Sequence, residues 1–211
     1  MNTTEPRTVD FWFDPICPWS WMTSRWILEV EQVRPVRTRW HVMSLAVLQE
    51  NPRLPRAYRQ MLLDAQGPAR VCAAVQQEYG AELVGPLYTA LGSRFHQRGL
   101  PQNREVVEEA LAEVGLPSSF ADHLTLLKHD HALRQSHRAA VALVGDDVGT
   151  PVIALEGPGE GGQQVAFFGP VVTPTPRGEA AGSLWDGVVL VSATPGFSEL
   201  KRTRTHGPDF R

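Results

Sequence analysis

Residues 8–13 (Thr-Val-Asp-Phe-Trp-Phe) are β-branched and aromatic, which predicts a buried strand. Asp14-Pro15 breaks it. Pro18 suits the first turn of a helix, where the missing N–H costs nothing. The helix is expected over 19–33, with Trp26, Ile27 and Val30 on one apolar stripe, and Pro35 stops it. A second strand is expected over 38–45. There Trp40, Val42 and Ser44 alternate with Arg39, His41 and Met43.

From Pro55 to Val144 only helical periods recur. Helices are predicted over 57–65, 68–79, 83–97, 104–114, 119–128 and 132–143. Gly67-Pro68, Gly80, Gly99, Gly115 and Pro117 separate them, and Ser119 followed by Asp122 resembles a capping box. Strand character returns at 151–155 and 165–168, with the glycine-rich residues 156–162 as a flexible hairpin loop. A last helix is expected over 179–191, and residues 201–211 are expected to be loosely ordered. No internal repeat is visible. Strands alternating with helices around one long helical block indicate an α/β domain with an insertion. Residues 1–50 and 146–211 would form the α/β domain, and 51–145 the helical subdomain.

Composition narrows the function classes. At 211 residues the chain can bury a full core. A net charge of −3 argues against a nucleic-acid partner held through phosphates. No apolar run is long enough to span a bilayer, and residues 1–9 carry no signal-peptide core, so a cytoplasmic location is expected. The two cysteines lie far apart in different contexts, unlike the staples of a secreted protein. Lys128 and Lys201 are the only lysines, and this arginine bias resembles the high-GC coding of actinobacteria.

The strongest chemical signal is Cys17-Pro18-Trp19-Ser20, directly after the first strand. It is a C-x-x-C redox motif whose second cysteine is a serine. Cys17 would sit at a helix N-terminus, where unpaired N–H groups and the dipole favour a thiolate. The dipole is worth about 0.3–2 kcal/mol, enough to leave the thiol about half ionised at best. Further hydrogen bonds from the Trp19 or Ser20 N–H, or from the Ser20 hydroxyl, would have to supply the rest. Ser20 cannot resolve a mixed disulfide, so the second thiol must come from solution, or from Cys72 if the fold brings it near. The alternative is that Cys17 is simply a small buried residue. Gly149-Thr150-Pro151, just before a strand, adds a second signal. Thioredoxin-like folds place a cis-proline opposite the active cysteine, where the preceding backbone can pair with an extended thiol substrate.

The segment 11–20, Phe-Trp-Phe-Asp-Pro-Ile-Cys-Pro-Trp-Ser, resembles the active-site segment of DsbA-like thioredoxin-fold proteins of actinobacteria. It is most similar to the mycothiol-dependent nitroreductase group. Residues 23–30, 41–46, 86–90, 145–151, 167–170 and 199–205 are similar too, so the resemblance spans nearly the whole chain. It implies an α/β, thioredoxin-like fold with an inserted all-helical subdomain. It implies mycothiol, or another low-molecular-weight thiol, as co-substrate. Cys17 would be the nucleophile with Ser20 beside it, and Pro18, Trp19, Thr150 and Pro151 would contact the thiol. The other partner would be a nitro-compound, or a small-molecule or protein disulfide. Ser20 is a departure, because that group carries cysteine there; two-cysteine cycling does not carry over.

Other residues have plainer readings. Cys72 lies in an apolar helix and is expected in the core. His129, His131 and His137 tempt a metal reading, but positions i and i+2 on a helix face apart, and no metal is expected. Asp14 reads as a turn former, since a carboxylate beside a thiolate would raise its pKa. Trp19 is expected beside the sulfur as an aromatic wall, with Trp21 sharing that role or buried. Lys201, Arg202 and Arg204 read as a solvated basic tail, with docking at the active site as the alternative. Two other functions fit the same fold. One is a transferase or isomerase like the kappa-class glutathione transferases and hydroxychromene-carboxylate isomerases, which often have serine at the position of Cys17. The other is a non-catalytic thioredoxin-like binding module.

Overall fold

The structure, a computed structural model, describes residues 6–50, 55–157 and 162–210. Strand β1 (Arg7–Phe13) runs parallel to β2 (Val36–Val42) and antiparallel to β3 (Val152–Leu155). β4 (Val165–Phe168) closes the order β2-β1-β3-β4. The period of two sorts β1 between two apolar layers. Val9, Phe11 and Phe13 face the larger layer together with Ile153 and Leu155 of β3. Trp12 faces the smaller layer with Val152 and Ala154.

Helix α1 (Pro18–Val33) packs beside α8 (Gly178–Ser192). Trp26 Nε1 donates to the Ala181 carbonyl at 3.1 Å, and Arg34 pairs with Glu179 and Asp186 of α8. Gly182 leaves room for that guanidinium, since a Cβ there would lie 2.7 Å from it. Between β2 and β3 run α2 (Leu45–Leu48), α3 (Arg56–Ala65), α4 (Gly67–Tyr79), α5 (Val84–Gly92), α6 (Arg104–Glu113) and α7 (Asp130–Val144). Helix α7 supplies Ala140 and Val144 to the layer that holds Trp12. Helices α4, α5 and α6 join the larger layer. This is a thioredoxin-like fold with a helical insertion between β2 and β3.

An aromatic block ties the insertion to the sheet. Tyr88 of α5 stacks on Phe13 with ring centroids 3.7 Å apart. Trp21 of α1 and Trp40 of β2 each lie 5.9 Å from the same ring. Gly85, Tyr88 and Gly92 fall at i, i+3 and i+7, on one face of α5. A Cβ on Gly85 would meet the Trp40 indole at 2.5 Å, and one on Gly92 would meet Trp21 at 2.2 Å. The glycines are therefore the slots into which two tryptophans fit.

The pattern misplaces several boundaries. β2 starts at Val36, not residue 38, because its register is set by β1 from Arg7↔Val36 to Phe13↔Val42. It ends where β1 ends. Ser44 is not a strand residue: its side chain accepts the Val47 N–H and caps α2. The helix expected over 119–128 is a 3₁₀ turn, Ser118–Leu124. Asp122 does not complete a capping box, because its carboxylate takes the Arg104 guanidinium at 2.6 Å. The helix expected over 83–97 is α-helical only to Gly92 and widens to a π turn over Ser93–Gln97. Part of the expected hairpin loop, residues 158–161, lies outside the described residues.

Substituting Gly92→Ala is expected to cost about 1–3 kcal/mol, because the new methyl overlaps the buried Trp21 indole and forces it to shift. Gly187→Ala is the control. It meets nothing within 4 Å in the same kind of element and is expected to gain about 0.5–1 kcal/mol. Urea unfolding midpoints at constant m-value check both.

Candidate active site

The loop from Asp14 to Cys17 leads from β1 into α1 and is held by one carboxylate. Asp14 Oδ1 accepts the Ile16 N–H at 3.0 Å, and Oδ2 accepts the Leu45 N–H at 2.7 Å. The Asp14 carbonyl accepts the Cys17 N–H at 3.0 Å. The turn-forming reading of Asp14 thus describes its contacts, with a further tie to the start of α2.

Cys17 is the N-cap of α1, with Pro18 in the first turn. Its Sγ accepts the Ser20 N–H at 3.4 Å, which satisfies one of the orphan donors of the helix start. From the other side Sγ lies 3.7 Å from the Thr150 carbonyl, to which the thiol donates. The Thr150-Pro151 bond is cis. Sequence positions 133 apart therefore meet at one sulfur. The Ser20 and Thr150 hydroxyls are both buried with no hydrogen-bond partner. They lie near enough to the sulfur to favour its charged form.

Burial nevertheless decides the charge. Cys17 is 4% exposed, and loss of solvent pushes its thiol above the usual range. Thr150 and the Ser20 N–H pull it down, and the Asp14 charge pushes it up again. A helix terminus alone would favour ionisation. Here its effect is outweighed, because a carbonyl and an apolar shell replace water around the sulfur. Asp14 is itself buried, and this raises its carboxyl to about 6 despite the two N–H donors.

Neighbouring side chains frame the site. Trp19 is half-buried, and the Arg204 guanidinium of the C-terminal tail lies 5.1 Å over its ring. Asp209 N–H donates to Thr173 Oγ1, and Phe210 lies against His96. The tail has no regular secondary structure, yet it docks beside the motif through these contacts. Trp21 is buried in the core, so it is not a second aromatic wall. Thr23 Oγ1 donates to the Pro170 carbonyl at 2.7 Å and joins α1 to the segment after β4. A cavity of about 250 Å³ lies between α1 and the tail, lined by Trp21, Met22, Arg25, Thr175, Asp209 and Phe210.

Sequence reasoning missed His96. Its Nε2 lies 2.9 Å from the Pro15 carbonyl, which can only accept, so that nitrogen carries the proton. Burial lowers the His96 pKa and favours the neutral ring. No local pattern could have pointed to it, because the contact spans 81 positions. Cys72 is a free thiol, wholly buried in the main core, and burial pushes its pKa far up. The three weighed histidines do not assemble. His131 is exposed, His137 accepts the Ser44 N–H, and His129 faces Glu78.

The Asp14 shift has a definite sign. A carboxyl raised from 3.8 to about 6 favours folding when protonated. That contribution is complete below about pH 4 and is lost as pH rises through about 6, a change of about 3 kcal/mol. Asp14→Asn is expected to remove this fall, so urea midpoints near pH 4 and near pH 7 should differ less in the variant than in the parent. The same substitution should lower the pH at which Cys17 ionises, read from thiolate absorbance.

Comparison with known proteins agrees with this architecture. The family model "Rv2466c-like: Mycothiol-dependent nitroreductase Rv2466c" matches residues 16–202, which include Cys17 and Thr150-Pro151. The uncharacterized protein Rv2286c of Mycobacterium tuberculosis is 28% identical over 201 residues, covering 94% of this chain and 83% of that protein. Among solved structures, the cytosolic disulfide reductase DsbM from Pseudomonas aeruginosa, solved with GSH, superposes with a TM-score of 0.56 at 16% identity. The match covers 86% of this chain and 98% of that one. A probable DsbA oxidoreductase from Streptomyces coelicolor gives 0.54 at 16% identity, covering 96% and 97%. At such identities the structures speak for the fold, and the family match carries the chemistry. The chain belongs to the Rv2466c-like, mycothiol-dependent nitroreductase family, and it is a thiol-dependent oxidoreductase with a DsbA-like thioredoxin fold.

Proposed function

We propose that the protein is a cytoplasmic, one-cysteine reductase that uses mycothiol as co-substrate and Cys17 as its nucleophile. The observation that carries this reading is the sulfur at the start of α1, between the Ser20 N–H and the Thr150 carbonyl, with a serine at the resolving position. Trp19, Pro18 and Pro151 form the surface against which the thiol docks. The helical stretch 51–145 acts as a subdomain beside the α/β domain of residues 1–50 and 146–211.

The exchange has two steps. The Cys17 thiolate attacks the mycothiol sulfur of a mixed disulfide between mycothiol and a substrate thiol. An S–S bond forms from Sγ to that sulfur, the bond between mycothiol and the substrate sulfur breaks, and the departing substrate thiolate takes up a proton. A second mycothiol thiolate then attacks the small-thiol sulfur of the mixed disulfide. Mycothiol disulfide leaves, and the Cys17 thiolate is restored. With a nitro-compound, two mycothiol molecules supply two electrons and two protons. The nitro group loses one oxygen as water and becomes nitroso, while the two thiols become one disulfide. As ionisation proceeds, the Ser20 and Thr150 hydroxyls turn toward the sulfur and replace the donated S–H bond.

Incubation with mycothiol disulfide is expected to give a single adduct on Cys17, seen by intact mass and lost in Cys17→Ala. Reversible binding of mycothiol with no adduct would instead favour the transferase or isomerase chemistry. Ser20→Cys is expected to shorten the lifetime of the adduct by at least about tenfold, because an intramolecular thiol has a high effective concentration. An unchanged lifetime in stopped mass-spectrometric time courses would show that residue 20 does not face the mixed disulfide.

A further inference from the structure

We propose that Glu78, His123 and His129 form a binding site for a divalent transition-metal ion of the Zn²⁺ class, where the end of α4, the turn Ser118–Leu124 and the start of α7 meet. The three side chains come from three separate elements, and each offers one donor atom within 4.8 Å of the others. His129 Nε2 lies 2.9 Å from Glu78 Oε1, and the two imidazole rings lie 5.0 Å apart at 59°. Two imidazoles and one carboxylate are a donor set that suits Zn²⁺, and also Co²⁺, Ni²⁺ and Cu²⁺.

His123 gives the cluster its second, independent sign. It is 7% exposed, and its Nδ1 is buried with no hydrogen-bond partner. Most buried polar side-chain atoms find a hydrogen-bond partner, so an orphan of this kind calls for an explanation. Bonds of about 2.0–2.1 Å to a tetrahedral ion place donors about 3.3 Å apart. The donors lie within 4.8 Å of one another, and side-chain rotations would bring them to that spacing. Glu78 can make them, because its side chain is 35% exposed. A water would complete a fourth position.

Lys128 is the competitor. Its Nζ lies 2.6 Å from Glu78 Oε1, where it neutralises the carboxylate. It is 64% exposed and held by this one contact, so it can swing into water when a dication takes its place. None of the three donor-bearing elements carries Cys17. The ion would act as a clamp on the helical insertion, which Arg70 of α4 already pins to Asp130 of α7 at 2.7 Å. The proposal stands apart from the thiol chemistry and fails or holds without it.

The test is a titration of chelator-treated full-length protein with ZnCl₂, with MgCl₂ as control, read by calorimetry and thermal unfolding. One Zn²⁺ per chain is expected, with a rise in melting temperature of about 5 °C or more at a hundredfold excess over Kd. Co²⁺ in place of Zn²⁺ is expected to give visible d–d absorption without thiolate charge transfer, which separates this site from Cys17. His129→Ala and Glu78→Gln, both at partly exposed positions, are expected to weaken binding at least tenfold. Lys128→Ala is expected to tighten it several-fold by removing the competing cation. Absence of stoichiometric binding, binding untouched by His129→Ala, or a thiolate charge-transfer band would each overturn the proposal.

Discussion

The burial of β1 on both faces is the constraint on which the rest of this structure depends. A strand with Val9, Phe11 and Phe13 on one side and Trp12 on the other needs two apolar layers and a neighbour on each edge. β2 supplies one edge in parallel, and β3 supplies the other in antiparallel. The second pairing has a chemical result. With Trp12 opposite Val152, β1 ends where β3 begins. Cys17 follows β1 by a short loop, and Thr150 precedes β3 by two positions. The register thus delivers the sulfur and the Thr150 carbonyl to the same end of the sheet.

The same burial governs reactivity. The helix start offers Cys17 an N–H donor, but an apolar and carbonyl-lined shell offers more resistance to charge. Asp14 holds the loop by its two acceptor contacts and adds a like charge nearby, so the group that shapes the site also restrains its ionisation. The tail, through Arg204 on Trp19 and Phe210 on His96, belongs to the surroundings of the site even though it forms no helix or strand.

Much of the fold was legible in order. The strand–helix–strand start, the long helical block and the returning strands all follow from changes of period, and 165–168 was placed to the residue. Boundaries failed where a distant partner set them. β2 takes its limits from β1, Ser44 is claimed by a cap, and Asp122 answers to Arg104 instead of to its own turn. Of the site, the Cys17 motif and Thr150-Pro151 stand out as local words, whereas His96 and Thr23 do not. Their contacts with Pro15 and Pro170 join segments that only folding brings together.

By itself the sequence determined which residue types could do thiol chemistry and that the usual second thiol is missing. Those facts are fixed by covalent order: a cysteine and a serine three apart at the mouth of a helix keep that spacing in any fold. Tertiary structure alone decided the charge on the sulfur, the meeting of Cys17 with Thr150, and the gathering of Glu78, His123 and His129. Solvation and long-range proximity are properties of packing. Neither has a signature in local periodicity, because both depend on which distant side chains displace water from the same place.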